Sequence, residues 1–156
     1  MDLLPFQTEA ADTLASRIQS YLSDPNAPME TRTRLVPLFQ NLGALTGAGK
    51  TVILADAAER LREQLGLRPI VLWVSKGKVV VEQTLANLDG GKYKDLIPGY
   101  TVKALLECSK ADVESGPALM LLATVATFNQ ADQGRRVFKL ALDKADKSLW
   151  DLLRIR

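Results

Sequence analysis

The sequence predicts an α/β fold in which a parallel sheet carries helices on both faces. Three observations lead there. A glycine-rich run, Ala44-Leu45-Thr46-Gly47-Ala48-Gly49-Lys50-Thr51, stands between an apolar segment and a helical pattern. Residues 69–75 (Pro-Ile-Val-Leu-Trp-Val-Ser) are continuously apolar, the pattern of a strand buried on both faces. Strand and helix patterns then alternate, and such alternation implies parallel pairing through helical crossovers.

The elements follow in order. Phe6, Ala10, Leu14 and Ile18 recur at helical spacing, flanked by Ala11, Tyr21 and Leu22, and a turn-rich stretch at 23–28 ends that helix. Residues 35–45 read as a buried strand, although Pro37, Gln40 and Asn41 interrupt its first half. Beyond the loop, Leu54, Ala58, Leu61 and Leu65 mark a helix, with Gly66 at its C-cap position and Pro69 past it. Gly77 breaks the strand at 69–75. A helix over 78–88 then turns Val81, Leu85 and Leu88 inward and closes at Asp89, Gly90 and Gly91. Residues 100–106 and 118–125 are two further strands, separated by the turn Ser115-Gly116-Pro117. A short helix begins near Thr127, and 135–156 is helical with Val137, Leu140, Leu149, Leu152 and Leu153 apolar.

The loop at 44–51 has the form Ala/Gly-x-x-x-x-Gly-Lys-Thr. Its glycines let backbone N–H groups curl around phosphate oxygens, the lysine neutralises their charge, and the threonine hydroxyl takes a magnesium ion. Ala44 stands at the least demanding position, with Gly43 just before it. The expected binding set is Thr46, Gly47, Ala48, Gly49, Lys50 and Thr51. Lys50 reaches the β- and γ-phosphates as the catalytic candidate, and Thr51 ligates Mg2+. The helix N-terminus adds its positive end. The bland alternative is a glycine-rich turn with a solvated lysine; the strand–loop–helix context argues against it.

Composition removes several function classes. A chain of 156 residues suits one domain with a real core. No apolar run approaches the ~20 residues of a membrane span, and the N-terminus lacks the pattern of a secretory signal. The single cysteine, Cys108, makes no intrachain disulfide, which fits a reducing cytoplasm. There is no histidine, so a Ser-His-Asp triad, a zincin motif and a Cys/His zinc cluster are all excluded, and Cys108 reads as a small half-buried residue. A net charge of +2 does not announce nucleic-acid binding. The basic tail from Arg135 reads as a solvated helix face or a phosphate-binding stripe.

Three stretches resemble the start of the first RecA-like lobe of superfamily-two (DEAD/DEAH-box) helicases, most closely the Res subunit of type III restriction enzymes. They are Leu4-Pro5-Phe6-Gln7-Thr8-Glu9-Ala10, the loop itself, and the strand-to-helix passage from Val71 through Ser75, Lys76, Gly77 and Lys78 to Gln83. The resemblance implies an incomplete P-loop NTPase domain that uses ATP and Mg2+. In it Gln7 hydrogen-bonds the adenine edge with Phe6 as packing neighbour, since an amide offers a donor and an acceptor together. It also implies a nucleic-acid backbone gripped by Ser75, Lys76 and Gln83, with Lys78 as a phosphate contact and Thr124 and Thr127 touching the backbone at a later strand exit. Taken alone, Gln7 reads as a surface residue of an amphipathic helix, and the two threonines as a β-branched strand end. The partners implied are double-stranded DNA, the rest of a helicase/nuclease polypeptide and a methyltransferase subunit, with no membrane and a cytoplasmic location. Gly90-Gly91-Lys92-Tyr93 also resembles the restriction-subunit branch, without an assigned role.

One expected motif has no match. Helicase lobes carry Asp-Glu-x-His after an apolar strand. The late run from Val137 to Asp143 is interrupted by Lys139, and Lys144 stands in place of the glutamate. The expectation is therefore the N-terminal part of one ATP-binding domain, with a helix and glutamine motif at 1–34 and a P-loop core at 35–156. It would stop before the catalytic acids and bind nucleotide without appreciable hydrolysis. Two other readings stay open: a small P-loop kinase, and a non-catalytic nucleotide-binding module.

Overall fold

The computed structural model describes residues 1–24 and 38–129, together with Ser148 and Asp151. The chain divides into two compact units, Met1–Leu67 and Arg68–Arg156.

The first unit is a helical pair. Helix α1 spans Pro5–Ser23, with Pro5 in its first turn where a missing N–H costs nothing. Helix α2 spans Lys50–Leu65 and is capped by Gly66, whose N–H bonds the carbonyls of Arg62 and Glu63. Ala11 and Leu14 of α1 pack on Ile53 and Ala57 of α2, with Ala10 and Leu42 at the margin. The buried side of α1 is Gln7, Ala11, Leu14 and Ala15, so the expected Phe6–Ala10–Leu14–Ile18 face is turned by about one residue and Phe6 stays exposed. Alanines at the contact let two helices approach closely, and that outweighs burying one large ring. In α2 the buried set is likewise shifted to Val52, Ile53, Ala55, Ala57 and Glu59, while Leu54 is exposed.

The expected strand at 35–45 is not found. Its described part, residues 38–45, is irregular, with Phe39 and Leu45 both exposed; residues 35–37 lie outside the described set. A strand needs a neighbour to pair its N–H and C=O groups, and the described residues of Met1–Leu67 offer only helices.

The second unit holds a three-stranded parallel sheet in the order β1-β3-β2. Strand β1 is Ile70–Ser75, β2 is Tyr100–Ala104 and β3 is Ala118–Thr124. Helix α3 (Lys78–Asp89) follows β1 and touches all three strands. The short helix α4 (Lys110–Ser115) precedes β3, and α5 (Val125–Phe128) follows it. Ala118 through Ala123 are all buried, because β3 is flanked on both edges and covered on both faces. Leu119, Leu121 and Ala123 pack with Leu105, Cys108 and Val113, the last from α4, and the period of two turns Met120 and Leu122 to the opposite face.

Two readings of the strands need correction. The run at 69–75 is a strand, but it is an edge of the described sheet, and Leu72 and Val74 remain exposed. The strand expected at 100–106 stops at Ala104, where Leu105–Glu107 form one 3-10 turn. The helix expected near Thr127 begins at Val125, with Thr124 as its cap. The helix expected over 135–156 lies outside the described residues except at Ser148 and Asp151. There the Ser148 hydroxyl donates to the Asp151 carboxylate at 2.7 Å and accepts the Asp151 N–H.

An ion pair locks α4 to the sheet. Lys103 of β2 donates to Asp112 at 2.7 Å, and the Ser109 hydroxyl and N–H donate to the same carboxylate. The Lys103 hydrogen bond first, then those from Ser109, hold the Asp112 carboxyl down at about 2 from an ordinary 3.8, and the Lys103 ammonium is raised by the same contact. Asp112 therefore takes up its proton more readily in the unfolded chain. Its stabilisation is complete above about pH 4 and is lost as the pH falls toward 2. Lys103 acts at the other end, losing its contribution as pH rises through its raised value. Urea unfolding of Asp112→Asn against the parent is expected to show a lower midpoint at pH 6, with the gap closing as the pH is taken toward 3.

Candidate nucleotide loop and strand-end face

The loop at 44–51 feeds directly into α2. Gly47 and Gly49 adopt left-handed backbone, φ +86° and +81°, a conformation that side chains other than glycine rarely accept. The Ala48 N–H bonds the Leu45 carbonyl at 3.2 Å, which tightens the turn. Gly49 is the N-cap of α2 and brings no capping side chain. The first turn of a helix leaves N–H groups without intrahelical acceptors, so this end is open to an external acceptor. Thr51, the second residue of α2, is half-buried.

Lys50 folds back on its own loop. Its ammonium donates to the Ala44 carbonyl and, at 3.0 Å, to the Leu45 carbonyl. The side chain stays exposed. The residues fit a polyphosphate: two left-handed glycines, an open helix N-terminus and one ammonium meet at a single turn.

Gln7 joins the same site from α1. Its Oε1 accepts the Leu4 N–H at 3.0 Å, and its Nε2 donates to the Ala48 carbonyl at 3.1 Å. A backbone N–H on one side and a carbonyl on the other leave no ambiguity in how the amide is turned. The side chain is buried, and a Cβ placed on Gly49 would lie 2.5 Å from Nε2. Gln7 is thus a strut between the start of α1 and the loop, with one N–H and one lone pair left over. The sequence did hold a signal for half of this. A glutamine three residues after a helix N-cap reaches back to the cap N–H. Nothing local announces the bond to Ala48, 41 residues away. Gln7→Ala is expected to lower the stability of the first unit by about 1–2 kcal/mol, because the Leu4 N–H and the Ala48 carbonyl both lose their partner; urea unfolding followed by circular dichroism checks this.

The remaining candidates lie on the second unit. Ser75 and Thr124 are register partners at the last positions of β1 and β3. Thr124 and Thr127 form a reciprocal cap: each hydroxyl accepts the other residue's N–H at 3.2 Å, and the two hydroxyls lie 3.0 Å apart. A cavity of about 220 Å³ opens between α3 and the ends of β2 and β3, with Lys78, Thr124 and Thr127 on its wall. Lys78 makes an exposed ion pair with Glu82 at 3.5 Å. Lys76 is exposed in the β1–α3 connection, and Gln83 sits on α3 turned away from the cavity. The structure therefore gathers Ser75, Lys78, Thr124 and Thr127 at one end of the sheet and leaves Gln83 outside. The apolar cavity wall formed by Ala104, Leu105 and Leu106 had no sequence signal, because its residues come from a strand end and the turn after it.

No helix among the described residues is long and apolar enough to cross a membrane. A family model described as the type III restriction enzyme, res subunit, matches residues 1–151 of the chain. Neither the curated proteins nor the solved structures compared with the chain give a match.

Proposed function

Because the chain belongs to the type III restriction enzyme res subunit family, a helicase-like family with a RecA-like P-loop NTPase domain, we propose that it is the ATP-binding part of an ATP-dependent DNA translocase, the restriction subunit of a type III system. The observation that carries this reading is the loop ahead of α2. Left-handed Gly47 and Gly49 aim an open helix end outward, and Lys50 is held beside it. In this reading Thr46 to Thr51 wrap the phosphates, Lys50 leaves its two carbonyls for the β- and γ-phosphates, and Thr51 holds Mg2+. Magnesium, when bound, neutralises charge on the phosphate oxygens. Gln7 keeps one donor and one lone pair for the adenine edge, and its grip on Ala48 couples base binding to the shape of the loop.

Ser75, Lys76, Lys78, Gln83, Thr124 and Thr127 contact the DNA backbone in the same reading, with a methyltransferase subunit as a further partner in the cytoplasm. No Asp-Glu-x-His stands in the sequence to orient the metal and activate water. Binding without appreciable turnover is therefore the expected behaviour of this chain. Titration with a fluorescent ATP analogue, duplex-DNA binding at rising salt, and a steady-state phosphate-release assay test the reading together. ATP preferred over GTP, salt-sensitive DNA binding and background phosphate release agree with it. Sustained hydrolysis abolished by Lys50→Ala, or phosphate transfer to a small acceptor, would replace it with a complete enzyme; ATP binding indifferent to Lys50→Ala would leave a module that only retains the loop.

A further inference from the structure

We infer that the cavity between the end of α3 and the start of β2 binds a free α-amino acid with a branched aliphatic side chain. The cavity lies within the second unit, and the inference is independent of the nucleotide and DNA readings. It holds about 270 Å³, which suits a small metabolite. Leu88, Ile97 and Val102 give it an aliphatic lining, and all three are buried. Two opposite charges stand on its wall. Asp89 is the last residue of α3, and Lys94 opens a 3-10 turn, Lys94–Leu96. Both are exposed, and neither has an ion pair or side-chain hydrogen bond among the described residues. The neighbouring charge of Lys92 is held over the Tyr93 ring at 4.7 Å and does not line the cavity.

The end of α3 is a place for a cation. A helix C-terminus is the negative pole of its dipole, and the Asp89 carboxylate adds to it. No basic residue stands in the last turn of α3 to offset that charge. The Tyr93 N–H takes the Asn87 carbonyl, while the Leu88 and Asp89 carbonyls accept no described N–H. Lys94 supplies the partner for an anion, and Thr101, half-buried on the same wall, adds a hydroxyl that donates to a carboxylate. These charges select the occupant. A simple anion such as phosphate meets Lys94 but also Asp89, a simple amine meets the reverse, and a neutral apolar molecule satisfies neither. An α-amino acid carries its ammonium and its carboxylate on one carbon and so offers each charge its partner. Its side chain leaves from the same carbon, and an aliphatic one matches the lining, gaining about fourfold in affinity for each CH2 it buries.

The test follows backbone amide shifts of the isotope-labelled intact chain by NMR as L-leucine, glycine, isopentylamine or isocaproate is added. Leucine is expected to give saturable shifts at Lys94, Thr101 and Val102, and to bind about tenfold or more tightly than glycine, which brings no side chain. Isopentylamine and isocaproate are leucine without its carboxylate and without its ammonium. Each is expected to bind about fivefold more weakly than leucine, the most that an exposed ion pair contributes. Two charge variants then cross over. Asp89→Asn weakens leucine and isopentylamine about fivefold and leaves isocaproate unchanged or tighter. Lys94→Gln weakens leucine and isocaproate by the same factor and spares isopentylamine. Both side chains are exposed, so neither change opens the core. No saturable shift with leucine, equal binding of leucine and glycine, or variants that treat the amine and the acid alike would each overturn the amino-acid site, and none of these results touches the nucleotide and DNA readings.

Discussion

Replacing Lys50 by alanine is expected to weaken ATP binding about 100-fold, a loss of roughly 2.7 kcal/mol, with little change in folding. The two consequences separate because of where the side chain stands. Lys50 is exposed, and its only described contacts are the carbonyls of Ala44 and Leu45 on the same turn. Losing them returns two carbonyls to water and costs little. A bound triphosphate is different. An ammonium on phosphate makes charge-assisted hydrogen bonds, each of about 1.5–3 kcal/mol. Calorimetric titration with ATP reads the affinity, and the thermal midpoint of the apo chain should stay within about 2 °C. Lys50→Arg recovers only part of the loss, since a planar guanidinium does not replace a compact ammonium inside a tight turn. An unchanged ATP affinity in Lys50→Ala would mean that the loop does not serve phosphate at all.

Gly49→Ala carries the second large effect, and it acts on fold and site together. The residue sits at φ +81°, where a side chain costs about 1–2 kcal/mol. Its new Cβ would stand 2.5 Å from the Gln7 Nε2. The Gln7 side chain can swing away, but only by releasing the Ala48 carbonyl, which adds about 1 kcal/mol. The expected total is about 2–3 kcal/mol in urea unfolding, with ATP binding reduced as the loop is reshaped. Gly47→Ala provides the control: the backbone there is equally left-handed, but a Cβ meets open space, so only the strain of about 1–2 kcal/mol is expected. In a Gln7→Ala background the cost of Gly49→Ala should fall by about 1 kcal/mol. A cost that is the same in both backgrounds would show that Gln7 and Gly49 do not touch.

The loop, its helix and the Gly66 cap stood in the sequence because each is a local matter: a left-handed turn calls for glycine, and a helix announces its ends within a few residues. The buried faces of α1 and α2 were less legible. Spacing placed an apolar stripe on each helix, but Ala11 and Ala57 enter the contact with Leu14 and Ile53, while Phe6 and Leu54 stay exposed. Counting large apolar residues misses that close approach needs small ones. The apolar run at 69–75 was a strand as expected, yet an apolar run cannot say how many neighbours a strand has, and β1 is paired on one edge among the described strands. The strand expected at 35–45 failed in its described half for a related reason: Gln40, Asn41 and Gly43 weaken it, and no described neighbour in its unit pairs with it.

The sequence by itself determined the α/β class, the family, the position of the phosphate-type loop and the starts of three strands. Those features are set by backbone preferences and apolar patterning acting over a few residues. Only the tertiary structure decided that Gln7 braces Ala48 across 41 residues, that Ser75 meets Thr124 in register, and that Lys78, Glu82, Thr124 and Thr127 line one open apolar groove with Leu106. Each of these depends on which distant segments meet and in what register. Contacts of that kind are selected by packing and by pairing of backbone groups, and neither is written in any short stretch of residues.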